Sequence, residues 1–245
     1  MLTEREEALK AAYVAARGYW TPWTEGLLRF SPEFLERYAA YGGYPAAHGP
    51  LSQAMVELLY VALDASATHL FEHGLRLHIG LALKRGATPG QVIAAVQLGA
   101  AQGLEGTQRA VCILAEELGQ GAEAPFTAEQ LALRQDWEAR FGDWPAFCTV
   151  LLRLDPGYLR AVFDMLTAVP AGGGLSVEEE VLLSLGLSAC FTAFNADATR
   201  RHIRRALDMG VDRRAILQVL QMTAHLGVHA CALGVPALLD AVNAP

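Results

Sequence analysis

Apolar residues recur along this chain at the three- and four-residue spacing of helices that bury one face. Val92, Ile93 and Val96 show this spacing in one segment, and the second half of the chain repeats it. No segment alternates apolar and polar residues over the length of a useful strand. The pattern therefore predicts an all-α protein.

Capping residues mark where these helices begin. Residues with short polar side chains, several of them followed by proline or by a glutamate or glutamine three positions later, predict helix starts. They are Thr3, Ser31, Ser52 and Thr88 in the first half and Thr127, Asp155, Ser176 and Asp212 in the second. Gly86 and Gly210 are suited to left-handed caps and predict the end of one helix in each half.

The sequence matches itself without a gap when residue 27 is placed over residue 151, a shift of 124 positions. LLRFSPEFL (27–35) then lies over LLRLDPGYL (151–159), and RLHIGLALKRG (76–86) lies over RRHIRRALDMG (200–210). Similarity that runs from end to end indicates a tandem duplication of one domain. We place the first repeat at residues 1–120 and the second at 125–245.

Composition narrows the class of protein further. Hydrophobic residues make up 53% of the 245 residues and charged residues 18%, so the chain can bury a large core. The net charge of -7 disfavours a nucleic-acid partner. The N-terminus does not resemble a signal peptide, and no apolar run reaches the roughly 18 to 20 residues of a membrane span without interruption. We expect a cytoplasmic protein without a membrane partner.

Three histidines lie close together in THLFEHGLRLH (68–78). His69, Glu72 and His73 spell H-x-x-E-H, a pattern that can mark an inverted zinc-peptidase helix. No third protein ligand can be placed from the sequence, and the second repeat has none of these residues, so we expect no metal. His69 and His73 are expected to cap or line a loop. By contrast, His78 recurs as His202.

A second pair of histidines, His225 and His229, lies one helical turn apart in the last predicted helix. Such a pair could bind a metal, but the sequence places no further ligand beside it. His229 could instead line the same cavity as His78.

Two motifs carry a resemblance to a known family. H-I-x-x-A-L-x-x-G at 78–86 and 202–210, together with GVHACALGVPALL at 227–239, resembles the carboxymuconolactone decarboxylase and alkylhydroperoxidase-D-like family. The resemblance is best over 49–118 and 173–242. It implies a tandem duplication of an alkylhydroperoxidase-D-like helical domain. It also implies a homo-oligomer, for which we favour a trimer.

The peroxidase branch of this family resembles the chain least. Its C-x-x-C cysteines precede the histidine by seven and four residues, where this chain has Phe71 and Gly74 in one repeat and Asn195 and Ala198 in the other. The four cysteines lie elsewhere, with no C-x-x-C spacing, and are expected to be free thiols. Thiol peroxidase chemistry is therefore the disfavoured alternative.

The decarboxylase branch needs no cofactor, and its resemblance implies that a histidine transfers a proton to a small organic acid or lactone. We take His78 as the proton-transfer residue, His202 as its counterpart, and Glu57 as the carboxylate that orients the imidazole. Glu180 is the matching candidate in the second repeat, although a solvated charge is favoured there. A non-catalytic oligomeric binding protein of the same fold remains an alternative.

Overall fold

The structure is a computed structural model that describes residues 2–119 and 124–244. Its helices in the first half are α1 (Glu4–Arg17), α2 (Pro22–Phe30), α3 (Pro32–His48), α4 (Gln53–Asp64), α5 (Glu72–Lys84), α6 (Pro89–Ala101) and α7 (Leu104–Glu117). Those in the second half are α8 (Ala128–Phe141), α9 (Ala146–Leu154), α10 (Pro156–Leu166), α11 (Val177–Ala189), α12 (Ala196–Asp208), α13 (Arg213–Thr223) and α14 (His229–Asn243). A 3₁₀ turn (Ala224–Val228) joins the last two. These residues contain no strand, which confirms the all-α prediction.

The predicted capping residues begin the helices as expected. Thr3, Thr88, Thr127 and Ser176 each form a capping box. In each box the cap side chain accepts from the backbone N–H three residues on, and the cap backbone N–H donates to the Glu or Gln side chain at that position. The predicted helix ends are also observed. Gly86 and Gly210 follow the last turns of α5 and α12 with φ of 95° and 79°, a left-handed backbone that favours glycine.

Several helices of the two halves have bounds that differ by the same shift of 124 positions, for example α1 and α8, and α5 and α12. The hydroxyls of Thr68 and Thr192, which that shift relates, lie 3.1 Å apart. Residues related by a two-fold rotation meet each other only at the axis. This contact therefore suggests a pseudo-two-fold axis between α4–α5 and α11–α12. The duplication and the boundaries of the repeats stay predictions.

The main hydrophobic core lies between α4 and α11, which pack against each other. Leu59 and Leu63 of α4 and Leu183 and Leu185 of α11 are fully buried there. Burial of a leucine side chain stabilises a fold by about 1.5–3 kcal/mol, so this contact is a major source of stability.

The last helices pack across the two halves. Helix α14 packs on α2, α13 packs on α3, and α7 packs on α9. As a result, α13 and α14 bring side chains from the end of the sequence to the helices of the first half.

The helical segment Arg213–Asn243 is long and apolar enough to cross a membrane, judged by length and composition alone. This is weak evidence, because core helices of soluble proteins pass the same test. The segment contains the 3₁₀ turn and buries Gln218, His225 and His229 inside the protein. The segment packs on α2, α3 and α11, and 33% of its most apolar window is buried.

Candidate functional site

Helices α4 and α5 bring Glu57 and His78 together. Every residue from Met55 to Asp64 is buried, so Glu57 lies inside the core with 3% of its surface exposed. His78 is 4% exposed on the facing side of α5, and its Nδ1 lies 2.6 Å from Glu57 Oε2. Because a carboxylate can only accept, Nδ1 carries the proton of this hydrogen bond. Nε2 has no hydrogen-bond partner among the described residues.

Arg85, just after α5, completes the pairing of the carboxylate. Its guanidinium donates to Glu57 Oε1 in an ion pair, while Oε2 accepts from His78. Tyr60, one turn after Glu57 on α4, places its ring 4.6 Å from the imidazole of His78. Burial raises the pKa of the Tyr60 hydroxyl to about 12, so this group is neutral. Glu57 is therefore held in place by two hydrogen-bond donors, His78 and Arg85.

A second histidine reaches the same region from the other half of the sequence. Arg17 Nη2 lies 3.0 Å from His225 Nε2, and Arg17 Nη1 donates to the Gly42 carbonyl at 2.8 Å. Since a guanidinium only donates, His225 Nε2 accepts and its Nδ1 carries the proton toward the Tyr38 hydroxyl oxygen. Burial and the charge of Arg17 hold the pKa of His225 well below its usual range. His225 is therefore neutral and accepts a hydrogen bond from Arg17.

A cavity of about 330 Å³ is bordered by Arg17, Glu57, Tyr60, His78 and Arg85. This is within the roughly 300–1,000 Å³ that small-molecule sites occupy. Much of its wall consists of small residues, Ala15, Ala16, Gly18, Gly43, Ala46 and Ala47. Its charged residues are Arg17, Arg85 and Glu57, with His78 beside them. The two fixed positive charges outnumber the single carboxylate, so the cavity favours an anionic ligand.

His202 occupies the matching helix position but has different neighbours. A cavity of about 180 Å³ lies beside it. Glu180 pairs with Arg140 at 2.7 Å, and the structure places no carboxylate within ion-pair distance of His202 among the described residues. Val181 occupies the position that matches Glu57. Burial, together with Arg201 and Arg205, lowers the pKa of His202 to about 4. Glu180, the candidate for which the sequence favours a solvated charge, pairs with Arg140 and not with His202.

The H-x-x-E-H stretch does not form the suggested zinc helix. Helix α5 begins at Glu72, so His69 lies in the preceding loop, and Glu72 pairs with Arg76 at the surface. His69 Nε2 instead lies 2.6 Å from His229 Nδ1, and His229 Nε2 lies 3.9 Å from Asp64 Oδ1. The expectation that nothing supplies further ligands near His69 or His229 is wrong, because the two meet each other and Asp64.

The sequence argument missed Arg17, Tyr60 and Arg85 beside the Glu57–His78 pair. It also missed the contacts of Asp64 with His229 and of Arg17 with His225. Asp64 and Tyr60 could have been found, since they lie about two turns and one turn after Glu57 on one face of α4. Arg85 lies two turns after His78 in the same way. Arg17 and His225 gave no such signal, because only the packing of the two halves brings them together.

The cysteines do not form a thiol site. Cys148 and Cys190 are buried, and Cys112 and Cys231 are half-buried. Burial raises the pKa of Cys112, Cys148 and Cys231, which disfavours the reactive thiolate. At one of the positions that carry cysteines in the peroxidase branch, Phe71 stacks on the His229 ring, with the ring centroids 3.9 Å apart.

Fold and site together define an all-α protein with a buried histidine–carboxylate pair beside a small cavity. The model of the carboxymuconolactone decarboxylase family matches residues 32–117 of the chain. The matched residues include Glu57, His78 and Arg85. The resemblance stated from the sequence is therefore confirmed.

The fold is also found in a solved relative. A crystal structure from Burkholderia xenovorans, provisionally described as a gamma-carboxymuconolactone decarboxylase subunit, superposes with a TM-score of 0.90 at 26% sequence identity. The match covers 97% of this chain and 97% of that chain. No curated protein matches the chain.

Proposed function

We propose that this protein is a cofactor-independent decarboxylase of a small carboxylated lactone or a related organic acid. This proposal rests on the arrangement of His78, Glu57 and Arg85 beside a cavity with excess positive charge. The description of the Burkholderia xenovorans relative supports a carboxymuconolactone as the first compound to test.

His78 is the proposed proton donor. Loss of carbon dioxide breaks a carbon–carbon bond of the substrate and leaves its electron pair as an enolate conjugated with the lactone carbonyl. The Nε2–H bond of the His78 imidazolium then breaks as a carbon–hydrogen bond forms at the substrate. Neutral His78 regains its proton from water, and positioned proton transfer of this kind contributes about 10²–10⁴-fold in rate.

Glu57 and Arg85 are proposed to set the state of His78. The Glu57 carboxylate stabilises the imidazolium and fixes its ring through Nδ1. Arg85 pairs with the other oxygen of Glu57 and holds the carboxylate in place. Arg17 and Arg85 together attract a substrate carboxylate, and Tyr60 separates His78 from the neighbouring His225 by its buried ring.

The test is decarboxylation of a carboxymuconolactone by the purified protein, followed as carbon dioxide release. His78→Gln is expected to lower kcat by about 10²–10⁴-fold, as expected for loss of a proton-transfer group. Glu57→Gln keeps the hydrogen bond but removes the charge that stabilises the imidazolium. It is therefore expected to lower kcat and to shift the alkaline limb of the pH–rate profile to lower pH, because only protonated His78 can donate.

His202→Gln is the matched control, since it changes a histidine at the same helix position without a carboxylate partner. It is expected to leave kcat per folded molecule within about threefold of the wild type, because its position makes no proton-transfer contact. If both histidine variants lost the same stability and kept the wild-type turnover per folded molecule, the proposed role of His78 would be overturned.

A further inference from the structure

Beyond the cavity at His78, three potential metal ligands lie together at the end of α4. They are Asp64, the last residue of that helix, His69 in the following loop, and His229 at the start of α14. One ligand atom from each lies within 4.8 Å of the others. These residues come from two distant parts of the sequence, 64–69 and 229, and have no part in the proposed decarboxylation.

The Asp64 carboxylate has an unusual environment. Asp64 is 1% exposed, and neither of its oxygens has a hydrogen-bond partner within the described residues. A carboxylate buried without a partner costs several kcal/mol, so this group is either protonated or compensated by a positive charge. Helix α5 closes one side, since a side chain at Gly74 would place its Cβ 2.3 Å from Oδ2. The other oxygen, Oδ1, faces the ring of His229.

We propose that Asp64, His69 and His229 form a binding site for a divalent transition-metal ion, with zinc as the ion to test first. Two imidazoles and one carboxylate are the donor set that zinc and iron(II) sites use, while magnesium and calcium prefer oxygen donors alone. A cation between them would compensate the Asp64 carboxylate and replace the contact between the two histidine rings.

The ligand atoms are close enough to converge on one ion. Zinc–nitrogen bonds of about 2.0–2.1 Å place tetrahedral ligand atoms about 3.4 Å apart. Each residue offers one ligand atom, and the three atoms lie within 4.8 Å of one another, so they must shift to reach this spacing. The His69 side chain extends from a loop, which lets it adjust. Three protein ligands leave at least one coordination position open.

The site is placed to stabilise the fold. Its ligands join α4, the α4–α5 loop and α14, which belong to different halves of the sequence. A metal ion that binds the folded chain and not the unfolded chain raises the melting temperature. Metal binding can therefore be measured without any reference to decarboxylase activity.

The experiment is titration of chelator-treated, full-length protein with zinc chloride by isothermal calorimetry, with the melting temperature measured in parallel. We expect about one ion per chain, bound with a Kd below about 1 μM, and a higher melting temperature. Cobalt(II) in place of zinc should give visible absorption bands of a low-coordinate site.

His69→Gln and Asp64→Asn are expected to weaken zinc binding by at least about 100-fold. The matched control is His73→Gln, which changes an exposed histidine four residues from His69 and should bind zinc as the wild type does. Asp64→Asn changes a core residue. If Asp64→Asn does not fold, the zinc affinity of His69→Gln, which changes a loop residue, decides the test. A wild type that binds zinc no tighter than about 100 μM, or equal losses in His69→Gln and His73→Gln, would overturn the proposal.

Discussion

At the scale of single residues, the surroundings of His78 and His202 distinguish two histidines that share a helix position. The positions that match Glu57, Tyr60, Arg85 and His225 are Val181, Ser184, Met209 and Ala101. His78 therefore has a carboxylate partner, while His202 lies beside Arg201 and Arg205. The recurrence of a histidine indicates a shared helix, and its neighbours decide what the imidazole does.

His202 should make the fold sensitive to acid. Its pKa of about 4 in the folded state lies below the unfolded value, so only the unfolded chain binds the proton between about pH 6.5 and pH 4. The contribution of His202 to the free energy of unfolding is therefore complete above about pH 6.5, and it is lost as the pH falls toward 4. Urea unfolding at pH 7 and pH 5 should show a smaller decrease for His202→Gln than for the wild type, by up to about 2 kcal/mol.

His73→Gln serves as the control for this prediction, because His73 is exposed and its loss should leave the pH dependence unchanged. Identical slopes for the wild type and His202→Gln between pH 7 and pH 5 would contradict the proposed cause.

At the scale of helices, local signals in the sequence define the elements but not their partners. Thr3, Thr88, Thr127 and Ser176 begin helices because each side chain satisfies backbone N–H groups within three residues, which sequence alone can indicate. The Glu57–His78 pair could also be predicted, since the family resemblance suggested it. The contact of Arg17 with His225 could not be predicted, because it depends on how α13 and α14 pack on the first half.

The packing of α14 on α2 should depend on Gly26. A Cβ at this position would lie 2.2 Å from Val235 Cγ1, and a β-branched side chain has little freedom to move away. Gly26→Ala is therefore expected to lower the free energy of unfolding by about 1–3 kcal/mol, as overpacking of a core usually does. Chemical denaturation measures the change.

Gly80→Ala is the matched control within α5. A Cβ at Gly80 meets no atom within 4 Å, so the substitution should raise stability by up to about 1 kcal/mol through helix propensity alone. If Gly26→Ala were as stable as Gly80→Ala, α14 would not be packed on α2 as closely as described.

At the scale of the whole molecule, large apolar residues are exposed at matching positions of the two halves. Leu70 matches Phe194, Leu83 matches Leu207, and Ile93 matches Leu217, all of them exposed. An apolar surface that recurs in both halves is suited to repeated contacts with other copies of the chain. This agrees with the expected homo-oligomer, which stays a prediction.

We expect the protein to form a homo-oligomer, with a trimer favoured, when size-exclusion chromatography is combined with multi-angle light scattering at micromolar concentration. Ile93→Glu combined with Leu217→Glu should dissociate it, because burying two carboxylates in an apolar contact is costly. Val169→Glu is the control, since Val169 is exposed but its matching residue, Pro45, is buried. A wild-type monomer would refute the prediction.

The packing of α14 on α2 also bears on how quickly this chain can fold. Contacts such as that between Arg17 and His225 join residues that are 208 positions apart. Isolated helices form within about a microsecond, but a high contact order slows folding by orders of magnitude because long loops must close first. The contact of Arg17 with His225 therefore forms late, when the last helices dock. Refolding kinetics should show helix formation before the cavity is complete.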